Sequence, residues 1–365
     1  MSAAARKRQL FLDSTIFDLQ PDGGISRYWY ELVSNLALRY TDWDLTLFAD
    51  PNTSNNFGRK LLEVTSDLPN VQRRDYVPKQ SGRFFGPRLS DSYKGFLWHS
   101  SYYRVPGRLT IPQVCTVHDF IYQRYFSGAV AWLHSRKMRL AIMRAQQIIC
   151  PSESTKRELL GFYPHIDDSR CHVVYHGVSA AFRQAGGTGP NPAPAAYALF
   201  VGSRARYKNF RLTVLSVKLV PDLHLYIVGG RTLSSDEIVM LNAHLAGRYR
   251  VFESPTDDML RDLYQSATAL AYLSRCEGFG FPPLEAMACG CPVIATGASS
   301  IPEVVGDAAI LLTSEDPMVV AAALRAVQSP ERRSQLMALG IQRAQRFSWD
   351  RAVDETVLAY ERALQ

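Results

Sequence analysis

Short apolar runs alternate with longer amphipathic segments along almost the whole chain of 365 residues. Parallel β-sheets covered by helices produce this alternation, because each buried strand is followed by a helix that packs back on the sheet. In the first half, the pattern predicts helices over 26–39, 132–144 and 152–160, and strands over 9–13, 45–49, 95–98, 113–117, 147–150 and 171–174. The sequence therefore predicts the α/β class.

The alternation is interrupted by one segment rich in Gly and Pro, residues 184–195. Such a composition is typical of a linker. A second alternation follows, with predicted helices over 210–220 and 257–266 and predicted strands over 198–202, 223–228, 250–252 and 268–273. We therefore predict a first domain at 1–183, a linker at 184–196, a second domain at 197–347 and a final amphipathic helix at 348–365.

Composition narrows the class of protein. With 47% hydrophobic and 21% charged residues, the chain resembles ordinary globular proteins. The sequence contains no apolar run near the roughly 18 residues that a spanning helix needs. The first residues, Met1–Asp13, lack the apolar core of a secretory signal, so we expect a cytoplasmic protein. The six cysteines form no pair of Cys-x-x-Cys motifs, and a structural zinc site is not expected.

Charge is distributed unevenly between the two halves. Residues 1–185 carry 24 Lys and Arg against 16 Asp and Glu, a net charge of +8, whereas residues 186–365 carry 17 against 18. A basic half could contact anionic lipid or a phosphate-bearing substrate, and ordinary solvated surface is an equally good interpretation. Nucleic acid is not expected, because no recognised binding module accompanies the charge.

The segment 275–296 combines two carboxylates with a Gly loop and a helix start. Glu277 follows an apolar run, and Gly278 and Gly280 allow a backbone path that a Cβ would obstruct. The two prolines at 282 and 283 are typical of a first helical turn, which would also contain Glu285. Free N–H groups at such a helix end attract phosphate, and carboxylates hold hydroxyl groups, so the segment suggests a sugar-nucleotide site.

The string from Glu277 to Ala295 resembles the Glu-x7-Glu signature of the family 4 retaining glycosyltransferases (GT4). This resemblance implies the GT-B fold, in which two Rossmann-like domains face each other across a cleft and the final helix crosses back to the first domain. The motifs are similar to those of bacterial mannosyltransferases and rhamnosyltransferases that build surface polysaccharides such as O-antigen. The first domain would hold the acceptor, and the second would bind the nucleotide sugar.

The resemblance also implies roles for residues of the second domain. Lys208 and Arg204 would be catalytic, because fixed cations stabilise the negative charge of a departing nucleoside diphosphate. Glu277 would be catalytic beside the donor sugar, and Glu285 would bind the ribose hydroxyls. Other residues that would bind the donor are Gly202, Gly278, Phe279, Gly280, Phe281 and Leu284.

Two segments of the first domain match the family more weakly. His118 and Asp119 follow the run 113–117, and residues at the carboxyl end of a parallel strand face the ligand crevice. By resemblance, His118 would be catalytic near the transferred sugar, and Asp119 would bind the donor. Gly23 and Gly24 resemble the Gly-rich first loop that approaches the donor phosphate. A plain turn before a helix is the alternative interpretation of that loop.

These expectations define a retaining, metal-independent glycosyltransferase that needs no cofactor. It would move a hexose, with mannose as the first candidate, from a nucleotide diphosphate sugar to a glycan or a polyprenyl-diphosphate-linked glycan. GDP-mannose is the first candidate donor, with UDP- and dTDP-sugars as alternatives, and the enzyme would lie at the inner face of the cytoplasmic membrane. Two other functions stay open: a glycoside hydrolase, which also uses paired carboxylates, and a catalytically silent scaffold that binds sugar nucleotides.

Overall fold

Two separate parallel sheets organise the computed structural model, which describes residues 7–20, 23–76, 96–106, 111–183 and 196–365. The first compact unit comprises the described residues up to Gly177 together with Trp349–Gln365, and the second comprises those of Val178–Ser348. Of the predicted linker at 184–196, residues 184–195 lie outside the described residues.

The first unit contains a seven-stranded sheet in the order β3-β2-β1-β4-β5-β6-β7, with every pair parallel. Its central strands are mostly buried, as expected for a sheet with helices on both faces. The strands are β1 (Arg8–Asp13), β2 (Trp43–Ala49), β3 (Val71–Asp75), β4 (Phe96–His99), β5 (Gln113–Thr116), β6 (Gln147–Cys150) and β7 (Cys171–Val173).

Among the described residues up to Gly177, six α-helices accompany this sheet. Side-chain caps fix two of their starts: Asn55 accepts a hydrogen bond from the Gly58 amide at 3.0 Å, and Ser152 accepts one from the Thr155 amide at 3.0 Å. The helices are α1 (Thr15–Leu19), α2 (Gly24–Arg39), α3 (Asn56–Val64), α4 (Ile121–Tyr125), α5 (Gly128–Arg144) and α6 (Glu153–Phe162).

The second unit contains a six-stranded parallel sheet in the order β10-β9-β8-β11-β12-β13. Strand order reverses beside β8, because β9 pairs on one side of it and β11 on the other. In open α/β sheets, ligands bind beyond the carboxyl ends of strands at such a switch point. The strands are β8 (Tyr197–Val201), β9 (His224–Val228), β10 (Tyr249–Phe252), β11 (Ala269–Tyr272), β12 (Val293–Thr296) and β13 (Ala309–Leu312).

The helices of the second unit surround this sheet. A capping box starts one of them, since Ser234 and Glu237 each bind the other's backbone N–H. The helices are α7 (Ala180–Arg183), α8 (Phe210–Lys218), α9 (Ser235–Leu245), α10 (Asp257–Ser266), α11 (Phe281–Ala288), α12 (Ile301–Val305), α13 (Pro317–Ala326) and α14 (Pro330–Ala344).

The final helix, α15 (Trp349–Ala363), belongs to the first unit. Its Tyr360 is fully buried, and the phenol oxygen lies 2.7 Å from Nδ1 of His99 on β4. Asp354 accepts hydrogen bonds from Arg39, the last residue of α2, at 2.7 Å and from Tyr40, just beyond it, at 2.6 Å. The predicted return of the last helix to the first domain is therefore confirmed.

Two expectations differ from the structure. In the basic segment 73–91 the alternation predicts no strand, but its first residues belong to the edge strand β3, which pairs with β2. Its side chains are mostly exposed, so polar residues replace the apolar run that indicates a buried strand. Residues 77–91 lie outside the described residues.

The first predicted domain was placed at 1–183, but residues 178–183 group with the second unit. The reason is Phe182 on α7, which is fully buried and contacts the Tyr264 ring edge-on at 6.0 Å between ring centroids. Cys289 also approaches the Phe182 carbonyl oxygen at 3.5 Å. Packing on α10 and α11 therefore joins α7 to the second unit, and the boundary lies after Gly177.

Candidate active site

An ion pair between Lys208 and Glu277 lies at the carboxyl ends of two adjacent strands in the second unit. Lys208 closes a short 3-10 helix that follows β8, and Glu277 lies in the loop that follows β11. The Lys208 Nζ atom is 2.5 Å from Oε1 of Glu277. The structure therefore brings together two residues predicted from separate motifs.

Backbone and side-chain contacts hold these two loops against each other. The Arg275 amide donates to the Tyr207 carbonyl oxygen at 2.8 Å. Asn209, with a left-handed φ of 54°, donates from Nδ2 to the Leu273 carbonyl oxygen at 2.9 Å. Lys208 lies between Tyr207 and Asn209 in the chain, and these contacts place its side chain next to the loop that carries Glu277.

The pair is largely shielded from water, with 12% of the Lys208 side chain and 10% of the Glu277 side chain exposed. The ammonium also lies over the rings of Tyr272 and Tyr207, at 5.3 and 5.6 Å from their centroids. Burial, with the nearby Glu277 charge as a smaller cause, raises the pKa of Tyr272 well above its ordinary value. Tyr272 is therefore a neutral phenol that can serve as a hydrogen-bond donor.

Two serines at the start of α12 fix the backbone around Glu277. Ser299 accepts from the Glu277 amide at 3.2 Å and donates to its carbonyl oxygen at 2.6 Å. Ser300 donates to the carbonyl oxygens of Glu277 and Phe279 at 2.9 and 2.7 Å. Gly278 lies between these two anchored residues. The loop that holds the carboxylate is thus preorganised by hydrogen bonds.

The start of α11 agrees with the sequence prediction. Gly280 is the residue before the helix and has a φ of +121°, a conformation that side chains other than glycine rarely adopt. Prolines occupy the first turn, as predicted. Phe279 packs edge-on against Phe281 at 5.6 Å between ring centroids, and Leu284 is fully buried.

Glu285 is the fifth residue of α11, just beyond the first turn in which the sequence placed it, and only 4% of the residue is exposed. Its Oε2 atom accepts a hydrogen bond from the Tyr264 hydroxyl on α10 at 3.1 Å. Burial, followed by the Glu285 charge, raises the pKa of Tyr264 well above its ordinary value, so this phenol stays a donor. Sequence analysis missed Tyr264, because nothing in the pattern of α10 distinguishes it from a core aromatic residue.

Arg204 follows β8 but is bound mainly to other parts of the protein. Its Nε atom donates to Glu237 at 2.8 Å, and Nη1 donates to the Gly229 carbonyl oxygen at 3.1 Å. Nη2 donates to the carbonyl oxygens of Arg231 and Thr232. Of the five N–H donors of a guanidinium, one on Nη1 makes no hydrogen bond within the described residues. In this structure Arg204 mainly anchors the turn after β9.

Gly202 connects β8 to this region with a φ of +129°. A Cβ there would lie 3.8 Å from Nζ of Lys208, and the Cα of Gly202 lies within van der Waals distance of a Cβ placed at Gly229. Gly202 therefore lies between the Lys208 side chain and the turn that Arg204 anchors. The structure groups Gly202, Lys208 and Glu277 tightly, with Arg204 on the opposite side of Gly202.

The predicted residues of the first unit lie around buried aromatic rings. His118, which follows β5, is buried, and its ring contacts those of Tyr28 and Tyr103 edge-on at 5.3 and 6.3 Å. Burial lowers the pKa of His118 to about 3, although a hydrogen bond with the Ser101 backbone acts in the opposite direction. The imidazole is therefore neutral near pH 7, so one ring nitrogen can donate a hydrogen bond and the other can accept one.

A polar network beside His118 was missed by sequence analysis. Nε2 of His99 and the Tyr28 hydroxyl each lie 2.9 Å from Oγ1 of Thr116. Burial also lowers the pKa of His99 to about 3 and that of His176 well below its usual value, with the neighbouring His118 as a smaller cause in both. The sequence signal was weak, because single histidines near strand ends are usually packing residues.

The remaining predicted residues shape two helix starts. Gly23 precedes α2 in an extended conformation, and a Cβ there would lie 2.2 Å from the Gln20 side chain. Gly24 is the first residue of α2. Asp119 accepts from the Ile121 amide at 2.9 Å and so helps to start α4. A side chain at position 23 would therefore have to displace the end of the Gln20 side chain, whereas the φ of Gly23 is ordinary.

Within the part of the chain that the structure describes, no cluster of three or more His, Cys, Asp or Glu side chains could hold a metal ion. In that same part, every helix is too short or too polar to cross a bilayer.

Family models cover most of the chain and meet near the predicted linker. Residues 22–182 match the model described as Glycosyltransferase Family 4, and residues 189–342 match Glycosyl transferases group 1. With the paired loops of the second unit, these matches define a glycosyltransferase. The chain belongs to the family 4 glycosyltransferases, as its signature predicted.

Curated relatives are similar over different shares of their lengths. O-antigen chain mannosyltransferase B of Escherichia coli is 28% identical, over 93% of this chain and 96% of the relative. O-antigen chain mannosyltransferase RfbU of Salmonella typhimurium is 30% identical, over 57% and 59%. A D-inositol 3-phosphate glycosyltransferase of Mycolicibacterium gilvum is 29% identical, over 70% and 62%.

Solved structures confirm the predicted GT-B fold. Sucrose-phosphate synthase from Thermosynechococcus elongatus superposes with a TM-score of 0.72 at 18% identity, covering 97% of this chain and 98% of that one. Anabaena HepE, in complex with UDP and glucose, superposes with a TM-score of 0.71 at 16% identity, covering 97% and 99%. At such identities the similarity concerns the fold alone.

Proposed function

We propose that this glycosyltransferase moves mannose from GDP-mannose to a growing glycan, with retention of anomeric configuration. The observation that carries the proposal is the buried Lys208–Glu277 pair, which provides a fixed cation and a sugar-binding carboxylate at one point. The choice of mannose is supported by the similarity to an O-antigen mannosyltransferase along 93% of the chain.

The cation has a direct chemical task in such a reaction. Cleavage of the bond between the sugar C1 and the phosphate oxygen leaves an additional negative charge on the nucleoside diphosphate. Lys208 would stabilise that charge, and the remaining N–H of Arg204 could add one hydrogen bond. When the diphosphate binds Lys208, the Glu277 carboxylate is released to accept hydrogen bonds from sugar hydroxyls.

Retention follows if the acceptor attacks from the face that the phosphate leaves. The acceptor oxygen then bonds to C1, and its proton passes to an oxygen of the departing phosphate. Protein cations fill the role of a divalent metal in this scheme, so we propose that no metal or other cofactor is required. Chelation with EDTA should leave the rate unchanged, and restoration of a lost rate by Mg²⁺ would refute this part.

For the acceptor, we propose a glycan linked to a polyprenyl diphosphate at the inner face of the cytoplasmic membrane. The net charge of +8 in residues 1–185 supports contact with anionic lipid or with the acceptor diphosphate. The similarity to O-antigen enzymes supports the same acceptor class.

The donor can be identified by thermal unfolding with GDP, UDP and dTDP in turn. A ligand that binds only the native state raises the melting temperature, and at equal ligand concentration the tighter ligand raises it more. We expect GDP to stabilise most, and GDP-mannose then to support transfer with an α-linked product. Stabilisation by UDP or dTDP alone would overturn the mannose donor while leaving the enzyme class intact.

A hydrolase would behave differently in the same assay. Without an acceptor, a glycosidase releases free sugar at its full rate, whereas a transferase consumes the donor slowly. A silent scaffold would bind the nucleotide and turn over nothing with any acceptor. We expect slow donor consumption that a mannosylated acceptor accelerates.

A further inference from the structure

Helices α4 and α5 of the first unit expose large apolar side chains to solvent. Val130 is 73% exposed and Trp132 is 59% exposed. Phe126 and Tyr125, at the junction of the two helices, are 50% and 38% exposed. Single exposed apolar residues are common, whereas here four of them lie within eight positions of the chain.

These side chains are not needed for the core of the first unit. The side of α5 away from Trp132 already buries Met138, Ala141 and Ile142, which pack in the cluster that contains Val117 and Phe120. The helix therefore has a complete inner face. Its outer apolar residues face water unless a partner covers them.

The same segment is uniformly basic. Residues 120–152 contain no Asp or Glu, whereas they include Arg124, Arg136, Lys137, Arg139 and Arg144. Arg136 and Arg139 are exposed and lie four and seven positions after Trp132, on the same side of the helix. The Arg136 guanidinium stacks over the Trp132 ring at 4.9 Å from its centroid.

We propose that this surface, formed by residues 125–139 of α4 and α5, docks on an anionic lipid bilayer. Aromatic side chains such as Trp and Phe insert at the headgroup level, and Arg binds lipid phosphates beside them. Exposed aromatic residues next to cations, without an intervening acid, satisfy both requirements. The purpose of this docking, to bring the enzyme to a lipid-linked acceptor, rests on the proposed function. The binding of the surface to lipid does not.

A second copy of the chain is a less suitable partner. In a two-fold dimer the same patch meets itself, so Arg136 and Arg139 would face the like charges of the other copy. The acid-free segment offers no carboxylate to neutralise them. Charge complementarity therefore favours a surface of negative sign, and phospholipid headgroups supply it over a wide area.

The test measures binding to vesicles and requires no turnover. Co-sedimentation of the protein is measured with two kinds of vesicle, at low and at high salt. One kind contains phosphatidylcholine alone, and the other contains about equal parts of phosphatidylglycerol and phosphatidylcholine. We expect binding to the mixed vesicles only, weakened by salt. The double variant Arg136→Glu/Arg139→Glu should bind them about 25-fold more weakly or worse, because each lost cation contributes about fivefold.

A matched control exists in the second unit. Arg211 and Arg332 are also exposed, so Arg211→Glu/Arg332→Glu gives the same change in net charge at another place. For the apolar part, Val130→Ser with Trp132→Ala is compared with Val239→Ser, because Val239 on α9 is 67% exposed. We expect the α5 variants to lose vesicle binding and the α9 and charge controls to retain it.

Three outcomes would overturn the proposal. The first is a wild-type protein that fails to bind the mixed vesicles at low salt. The second is equal loss of binding in the α5 variants and their controls, which would indicate net charge rather than a surface. The third is a stable dimer that the α5 variants convert to monomers. Stabilisation of every variant by GDP is measured in parallel, so loss of the docking surface is distinguished from failure of the proposed donor.

Discussion

Lys208 and Glu277 form an ion pair, with Nζ 2.5 Å from Oε1, that joins the loops after two adjacent parallel strands. Both side chains are largely buried, so each charge depends on the other for compensation. Removing one partner of such a pair costs more than removing both, because the remaining charge is left desolvated.

The first prediction follows from that dependence. Lys208→Met should lower transfer by about 10²- to 10³-fold, the usual cost of losing one fixed group that stabilises transition-state charge. It should also lower the melting temperature, and Lys208→Met/Glu277→Gln should recover part of that loss without recovering transfer. Initial rates and thermal unfolding of the single and double variants provide the test.

An exposed ion pair provides the control for the first prediction. Arg351 and Glu355 are 2.7 Å apart on α15, with 69% of the Arg351 side chain exposed. Arg351→Met should change stability by less than about 1 kcal/mol and leave transfer unchanged. Normal transfer by a folded Lys208→Met variant would remove Lys208 from the catalytic site.

The second prediction concerns the turn that Arg204 anchors. Gly230 has a φ of +81°, and a Cβ there would lie 2.6 Å from Nη1 of Arg204. Gly230→Ala should therefore displace the guanidinium in addition to straining the backbone. Gly247 has a φ of +83° with no neighbour within 4 Å, so Gly247→Ala measures the strain alone.

We expect Gly247→Ala to cost about 1 kcal/mol and Gly230→Ala to cost clearly more. Only Gly230→Ala should raise the KM for the donor, since Gly247 is not part of the turn that Arg204 holds. Equal stability and equal KM in the two variants would show that the position of Arg204 does not matter to donor binding.

The third prediction separates a charged from a neutral hydrogen bond. Tyr264 donates to the buried Glu285 carboxylate at 3.1 Å, whereas Tyr197 donates to the Leu263 carbonyl oxygen at 2.7 Å. Tyr264→Phe should cost about 1.5–3 kcal/mol and Tyr197→Phe about 1 kcal/mol. Denaturant unfolding measures both, and a smaller loss for Tyr264→Phe would contradict the assignment of this bond.

Much of the fold could be predicted from the sequence, because buried parallel strands appear as continuous apolar runs. β6 (Gln147–Cys150) and α10 (Asp257–Ser266) have the predicted bounds. β3 was missed because its exposed edge position replaces apolar residues by Arg and Asp. The boundary at 183 was wrong because packing of Phe182 across three helices is a tertiary contact with no local signal.

The candidate site shows the same division. The helix start at Gly280 follows from local rules on glycine and proline, and the structure has it there. The engagement of Arg204 by Glu237 could not be predicted, because 33 residues separate them and only the adjacency of β8 and β9 brings them together. The roles of these residues in catalysis stay predictions that the variants above test.

The fourth prediction concerns acid stability. Burial lowers the pKa of His99 and His118 from about 6.5 to about 3, so the unfolded chain binds protons that the folded state excludes. Stability should therefore be complete above about pH 6.5 and fall as the pH decreases toward 3. Each such histidine contributes a slope of about 1.4 kcal/mol per pH unit in that range.

Unfolding by urea at several pH values measures this slope. His118→Asn should reduce it by about 1.4 kcal/mol per pH unit. A wild-type stability that is flat between pH 6.5 and 4 would contradict the buried, neutral state of these histidines.

The fifth prediction is a gain in stability at Arg104, which is 2% exposed. None of its three guanidinium nitrogens has a hydrogen-bond partner within the described residues. The guanidinium carbon makes a cation–π contact with Tyr76, at 5.5 Å from the ring centroid. A buried charge without a hydrogen-bonded partner is costly, so Arg104→Met should stabilise the first unit by about 1–4 kcal/mol.

Arg333 is the matched control, because it donates to the Thr268 and Ala267 carbonyl oxygens at 2.7 and 2.9 Å, and Arg333→Met should destabilise. Thermal unfolding should show shifts of opposite sign, about 2–4 °C for each kcal/mol. A lower melting temperature for Arg104→Met would mean that the guanidinium has a stabilising partner, and the assignment of an uncompensated charge would then be wrong.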